Sequence, residues 1–394
     1  RLLQGSGPFV LSDPPDNPLA YQALSLGLYA RAVELLGDGA GPAARQTLRR
    51  VVRASLLAAA PDGDLAYFGR SQGEIWALPA TAYGAEVAAA EPGSSAADDA
   101  ADHALAARAI DRLGTAYPVG DRGPWITPAL AVDLDAGARG LDGYAGAPSM
   151  AGLALVSLNW AIDTAPADAT AGALPADHLL AAHVSQGRGQ FAVVRRGETW
   201  YAVKMTGTTD VHHRGDLRYD FGLVAAKRLV GARWVDLVPE RPRTAAPGVD
   251  TTGPVLLTGG PAYPFGSRIR VDSQGTVRVT GGFRTAAGRV VRRSTFVFRP
   301  LPCGIESVFR ARAGDVYSLS PVFTGRTGPA VAGASAAGGG QDVSFSPQPF
   351  FSAPVEGIAS SAHPWMTRLP VLVHPEVAQQ VRVEFCAPAA DTGP

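Results

Sequence analysis

The hydrophobic pattern of the chain changes period partway along. From Asn17 onward, Leu19, Ala23, Leu26, Ala30 and Val33 recur at helical spacing, with Tyr21, Leu24, Leu28 and Leu35 filling the other side, so this segment predicts a helix that is apolar nearly all round and buried on both flanks. Residues 43–60 differ: Arg45, Arg49 and Arg53 form one stripe and Leu48, Val51, Val52 and Leu56 the other, as in an outer, half-exposed helix. Ile75, Trp76, Pro79, Ala80, Tyr83 and Val87 predict a second inner helix. Residues 95–114 predict a second outer one, capped by Ser94-Ser95, with Asp98, Asp99 and Asp102 early and Arg108 and Arg112 late, which suits the helix dipole. Residues 148–162 give a further apolar helix carrying Trp160.

Past Pro175 the period falls to two. Residues 191–197 and 199–205 read as a hairpin turning at Gly197-Glu198. Strands are expected at 221–230, 233–238, 253–258, 267–272, 275–283, 289–299, 304–312, 315–323, 341–347, 367–373 and 380–386, punctuated by Gly and Pro; the glycine-rich stretch 333–340 reads as a flexible loop. The fold expected is α+β and multidomain: a partial (α/α) toroid over residues 1–165, a linker over 166–185, and a large antiparallel β-sandwich over 186–394. The helices fall short of a closed ring, so either earlier helices precede this chain or the helical part is an open arc. A plain helical bundle is the alternative.

Composition narrows the functions. The 394 residues hold 35 Lys+Arg and 35 Asp+Glu, leaving no net field to draw nucleic acid or an anionic membrane. No run is long and apolar enough for a membrane span, which predicts a soluble globular chain. Arg1 opens the chain with neither Met nor a leader-like segment, as in a mature or cut-down protein. Cys303 and Cys386 fit one disulfide or two buried thiols. There is no Gly-x-Ser-x-Gly elbow, no His-Glu-x-x-His, no nucleotide fingerprint and no Cys-x-x-Cys, so serine-triad hydrolases, zinc proteases and dinucleotide enzymes drop out.

Three segments are candidates for chemistry. Asn17 and Tyr21 stand at the start of the first apolar helix, where Asn17 also serves as an N-cap before Pro18. In Tyr67-Phe68-Gly69-Arg70-Ser71-Gln72, an Arg before an inner helix needs an anionic partner: an internal carboxylate such as Glu74 or Asp64, or the carboxylate of an acidic sugar. In Val211-His212-His213-Arg214-Gly215-Asp216, adjacent His residues on a strand face opposite ways and cannot share a metal without a bend, so no metal site is expected. One of them with Asp216, Arg218, Tyr219 and Asp220 makes a polar site at the junction of the halves, or a solvated hairpin loop. Trp125, Trp200, Trp234 and Trp365 are sugar-stacking or core aromatics.

In this order, helical repeats, Gly69-Arg70-Ser71 at an inner helix start, and an all-β half opening on a hairpin and a His/Asp-rich loop, the chain resembles the toroid-plus-sandwich polysaccharide lyases. Phe9 to Tyr21 and Gly69-Arg70-Ser71 follow the order of the hyaluronate/chondroitin lyases, and Val211 to Asp216 is similar to the His-rich turn of the heparinase II/III-like group. Where the first group carries a catalytic His ahead of the helix, this chain has Ser12 and Asp13, and the His-x-His-x-Asp pattern of the second is broken. The resemblance implies cleavage of an acidic polysaccharide by β-elimination next to a uronic acid. Asn17 and Arg70 would neutralise the carboxylate, Tyr21 would act as base or acid, and His212 or His213 would be an auxiliary base. Tyr67, Gln72, Arg218, Tyr219 and Trp76 would bind substrate. No cofactor is required, although a divalent cation can replace the neutralising side chains. The implied partner is an acidic poly- or oligosaccharide, and a secreted, periplasmic or cell-surface location follows from that class. The other readings are a glycoside hydrolase drawing a carboxylate pair from Asp13, Asp16, Asp64 and Glu74, and a non-catalytic carbohydrate-binding protein.

Overall fold

The computed structural model describes residues 19–388 except 68, 70, 118, 121–122, 125, 135–137, 142–147, 167–173, 175–176, 184–189, 206–215 and 244–252. The protein is α+β, with a helical part followed by a large β-rich part. The helices are α1 (Leu19–Leu36), α2 (Pro42–Ala58), α3 (Ala77–Ala90), α4 (Ala96–Ala116) and α5 (Pro148–Thr164), each within a few residues of its predicted span. None is long and apolar enough to cross a membrane.

α3 is the hub, packed against α1, α4 and α5 and buried from Ala77 through Ala88. Small residues permit the closest approaches: a Cβ at Gly84 would lie 2.4 Å from Leu26 Cγ, and one at Gly27 would lie 3.2 Å from Ala80 Cβ. α1 buries Ala23, Leu26, Ala30 and Val33, as predicted, together with Ala20, but not its second flank: Leu28, Leu35 and Leu36 are 54%, 70% and 60% exposed. Leu155, Val156 and Ile162 of α5 are exposed likewise. α1 and α5 flank α3, and among the described residues no helix covers their outward faces. α4 begins on Ser95, whose hydroxyl accepts the Asp98 amide at 3.1 Å.

The β part is layered. A five-stranded antiparallel meander runs through His178–His183, Gln190–Arg196, Thr199–Lys204, Gly222–Val230 and Arg233–Val238. The hairpin of Gln190–Arg196 and Thr199–Lys204 turns where expected, with Arg196 opposite Thr199 and Gly197 at φ 52°. One face of the meander, with Phe191, Val193, Trp200, Ala202 and Val224, packs on Ala54, Leu57 and Ala58 of α2 and on Tyr67. The other face, with Ala192, Val194, Tyr201, Val203 and Leu223, packs on Val277, Val279, Phe283 and Phe296 of a twelve-stranded sheet. Helices, meander and large sheet therefore stack in that order, and every residue of Thr199–Lys204 is buried because its strand lies in the middle layer.

Two expectations change. His178–His183 lies in the segment read as linker but pairs along Gln190–Arg196; its Leu and Ala residues carry little β signal, and the neighbouring strand decides. The stretch 333–340, read as a loop, contains strand Ser335–Gly338, whose partner Ala330–Ala332 is reached through a tight turn at Gly333 (φ 56°). Cys303 and Cys386 form a disulfide, closing a sequence separation of 83 beside the pair Gly304–Cys386.

Candidate active site at the junction of the two halves

After α2 the chain turns at Gly63 (φ 89°), where a Cβ would lie 2.4 Å from the Arg108 carbonyl oxygen, so this position requires glycine. The loop that follows alternates left-handed residues at Gly69 (φ 91°), Ser71 (φ 59°) and Gly73 (φ 67°). Ser71 is the only non-glycine with positive φ among the described residues, a local cost that the surroundings must sustain. They do so from both halves. Gly69 N–H donates to the Arg218 carbonyl at 3.3 Å, Gly73 N–H to Ala66 at 2.9 Å, Ile75 N–H to Ile126 at 2.9 Å, and the Tyr117 hydroxyl to the Gly73 carbonyl at 2.9 Å. A Cβ on Gly73 would lie 2.9 Å from Ser361 Cβ, so the 359–363 loop of the β half rests directly on it.

Around this loop lies an ionic network joining the halves, centred on the buried Lys227. Lys227 Nζ, on strand Gly222–Val230, meets Asp62 of the helical half at 2.9 Å and Asp236 of the meander at 2.7 Å. Arg112 of α4 reaches Asp62 at 3.3 Å. Burial works against both carboxylates, but Lys227 outweighs it, with Arg112 at Asp62 and His363 at Asp236, and holds each below its ordinary value. The His363 ring is 3.9 Å from Asp236; burial pushes its pKa down, favouring the neutral imidazole. Glu240 is 5% exposed, accepts from Gln72 Nε2 at 3.0 Å and contacts Asp64; burial and that neighbouring carboxylate push it well above the usual range. Glu74 is fully buried, with both carboxyl oxygens lacking a hydrogen-bond partner among the described residues. Burial raises its pKa to about 8, with Arg218 pulling the other way, so it is predominantly neutral at pH 7.

The expected site residues divide. Asn17, Arg70, His212 and His213 lie outside the described residues, as do Trp125 and the side chain of Tyr219. Tyr21 is half-buried, and its ring meets Trp76 edge-on at 5.6 Å, so the start of α1 touches the end of the 67–76 loop. Arg218 grips Asp216 with two nitrogens at 2.9 and 2.7 Å, and its carbonyl receives Gly69. Gln72 is spent on Glu240. Tyr67 is fully buried: its hydroxyl donates to the Ala58 carbonyl at 2.7 Å and its ring packs on Trp200 at 4.9 Å, so it braces the α2–meander interface rather than facing a ligand. Trp76 is also buried, 1% exposed. Of the other tryptophans, Trp234 lies under Arg195 and Trp365 under Arg326, with the guanidinium carbons 5.4 and 4.1 Å from the ring centres.

Lys227, Asp236, Tyr117, Glu240 and His363 were not singled out from the sequence, and Arg112 was read only as a charge suited to the helix dipole. One signal was available: Lys204 and Lys227 are the only lysines in an arginine-rich chain, each interrupts an apolar strand, and both are buried. A lysine in such a place demands anionic company.

No family model and no curated protein matches the chain. Among solved structures it is similar to a 4-alpha-glucanotransferase from Thermococcus litoralis (9% identity, 95% of this chain and 58% of that one, TM-score 0.36). It is also similar to the heparan sulfate lyase HepC from Pedobacter heparinus (10% identity, 96% and 61%, TM-score 0.37) and to a heparinase III (10% identity, 92% and 62%, TM-score 0.33). The chain thus spans about six tenths of the length of the structures it matches.

Proposed function

We propose that the protein is a carbohydrate-active enzyme that cleaves an acidic polysaccharide by β-elimination beside a uronic acid, at the junction of its two halves. The observation that carries the reading is the bracing of the 67–76 loop. Gly69, Ser71 and Gly73 are left-handed, Gly69 N–H reaches the Arg218 carbonyl of the β half, and Tyr21 meets Trp76 at the loop's far end, and this bracing supports a reading in which Arg70 acts at the junction.

In this reading Arg70 and Asn17 bind the uronate carboxylate and lower the cost of forming a carbanion at C5. Tyr21, assisted by His212 or His213, takes the C5 proton; the C4–C5 double bond forms as the C4–O bond breaks, and the departing oxygen is protonated by Tyr21 or one of the histidines. Gln72, Glu74, Tyr117 and Arg218 position the loops without touching substrate. We read the helices as an arc of an (α/α) toroid with α3 as an inner helix, packed by a large antiparallel sandwich, and the Cys303–Cys386 bridge as favouring an oxidising, secreted or periplasmic setting.

The test is to incubate the protein with hyaluronan, chondroitin, heparan, alginate and glucuronan and follow the ultraviolet absorbance of an unsaturated uronate. A rise that Arg70→Ala and Tyr21→Phe each abolish, with thermal unfolding unchanged, is expected. Absence of signal on every substrate sinks the reading for that panel, and reducing ends released without absorbance favour a hydrolase.

A further inference from the structure

The large sheet has an outward face that the rest of the molecule leaves uncovered. Its inward positions, Ile269, Val277, Val279, Phe296, Phe298, Phe309, Val381 and Val383, form the core against the meander. By the alternation of a strand, the residues between them point the other way, on the side remote from the helices and from the junction.

Register shows what those positions hold. Arg270 lies directly opposite Arg278, and Arg268 opposite Thr280. Thr280 faces Thr295, and Gly282 faces Arg293. Arg310 faces Gln380, and Val308 faces Arg382. Arg268, Arg270, Arg278, Arg293 and Arg310 are exposed, and none meets a carboxylate among the described residues. Glu306, with 1% exposure, is claimed by Arg299 and by Arg382 at 3.8 Å. Glu384, opposite Glu306, and Asp342 stand toward one end of the same face, so the positive charge is concentrated on strands Ala262–Val271, Val277–Thr285 and Val290–Pro300 of a chain whose formal net charge is zero. Two arginines directly opposite on neighbouring strands repel, so the array is maintained at a cost in stability.

We propose that this face binds an acidic polysaccharide chain, as a surface separate from the junction site. Strands about 4.8 Å apart space the arginines regularly across the sheet, which suits a stiff chain with regularly spaced carboxylate or sulfate groups. Thr280, Thr295 and Gln380, all exposed, stand among the arginines and can hydrogen-bond sugar hydroxyls. A nucleic acid fits less well, because the aromatic ring beside these arginines, Phe265 opposite Gly282, is already stacked under the Arg284 guanidinium at 5.3 Å and offers little open surface to a base. The choice of polymer rests on the proposed elimination chemistry, whereas the location of the surface does not.

The experiment compares the parent protein with an Arg268→Thr/Arg270→Thr/Arg278→Thr variant, exposed substitutions by a residue that strands favour. Affinity for heparin is measured by titration at several salt concentrations, beside a single-stranded oligonucleotide and vesicles containing anionic lipid. The expected result is a loss of roughly tenfold in heparin affinity with a shallower salt dependence, unchanged thermal unfolding, and unchanged turnover of a short oligosaccharide. Equal heparin affinity in the two proteins overturns the proposal, as does tighter binding of the oligonucleotide or the vesicles. If heparin binding follows the arginines while no substrate is ever cleaved, the surface stands and only the reaction fails.

Discussion

Replacing Glu74 by Gln isolates the cost of keeping a carboxyl group in the junction. Glu74 is fully buried, and its pKa rises from the ordinary 4.5 to about 8 because burial penalises the charged form. The folded protein therefore retains a proton that the unfolded chain has released, and stability falls as pH rises from about 4.5 to about 8, then levels off. At about 1.4 kcal/mol per pH unit, the penalty grows by about 3 kcal/mol between pH 5 and pH 7.5. The substituted amide does not titrate. Urea unfolding of the parent and Glu74→Gln across that range should thus show the variant gaining about 3 kcal/mol on the parent as pH rises. The other raised carboxyls, Glu86, Asp102, Asp216 and Glu240, titrate in both proteins and cancel. Parallel pH profiles, or a variant that loses ground to the parent on going to pH 7.5, would refute the reasoning.

Three further outcomes follow from the same structure. Lys227→Ala leaves Asp62 and Asp236 without their shared ammonium, at a cost of about 3 kcal/mol near neutral pH; because Lys227 holds both carboxylates below their ordinary value, the loss should fade as pH falls into the carboxylate range, as urea unfolding would record. Gly73→Ala forces a side chain into left-handed backbone (φ 67°) and against Ser361, so unfolding should show a loss of about 1–3 kcal/mol, with faster proteolysis around 359–363. Reduction of Cys303–Cys386 releases a loop spanning a sequence separation of 83, for which chain entropy predicts a loss of about 4.5 kcal/mol, measurable by thermal unfolding with and without reductant.

How much was legible in the chain depended on the range over which the determining contacts act. The helices declare themselves because Leu19 to Val33 and Ile75 to Val87 carry their own periodicity, and the Gly197 hairpin because a turn residue stands between two apolar runs. His178–His183 was illegible since its strand character comes from Gln190–Arg196 rather than from its own Ala and Leu residues. In the candidate site, Gly69-Arg70-Ser71 stood out as an Arg before an inner helix, but the left-handed backbone at Ser71 and Gly73 carried no such signal. Its bracing was hidden: Gln72 and Glu240 are 168 residues apart in sequence, and no local pattern links Asp62 to Lys227 or Gly73 to Ser361. Tyr67 misleads for a related reason, as an aromatic beside a polar loop looks like a binding residue until α2 and Trp200 close around it.

The central claim is an elimination reaction at the junction, and the mass of the products tests it most directly. Digestion of a uronic-acid polysaccharide in isotopically labelled water, followed by mass spectrometry, should give fragments whose new non-reducing ends are lighter by one water than hydrolytic ends and carry no label. Arg70→Ala should give none. Saturated fragments that take up labelled oxygen from the solvent at the cleaved bond would contradict the account.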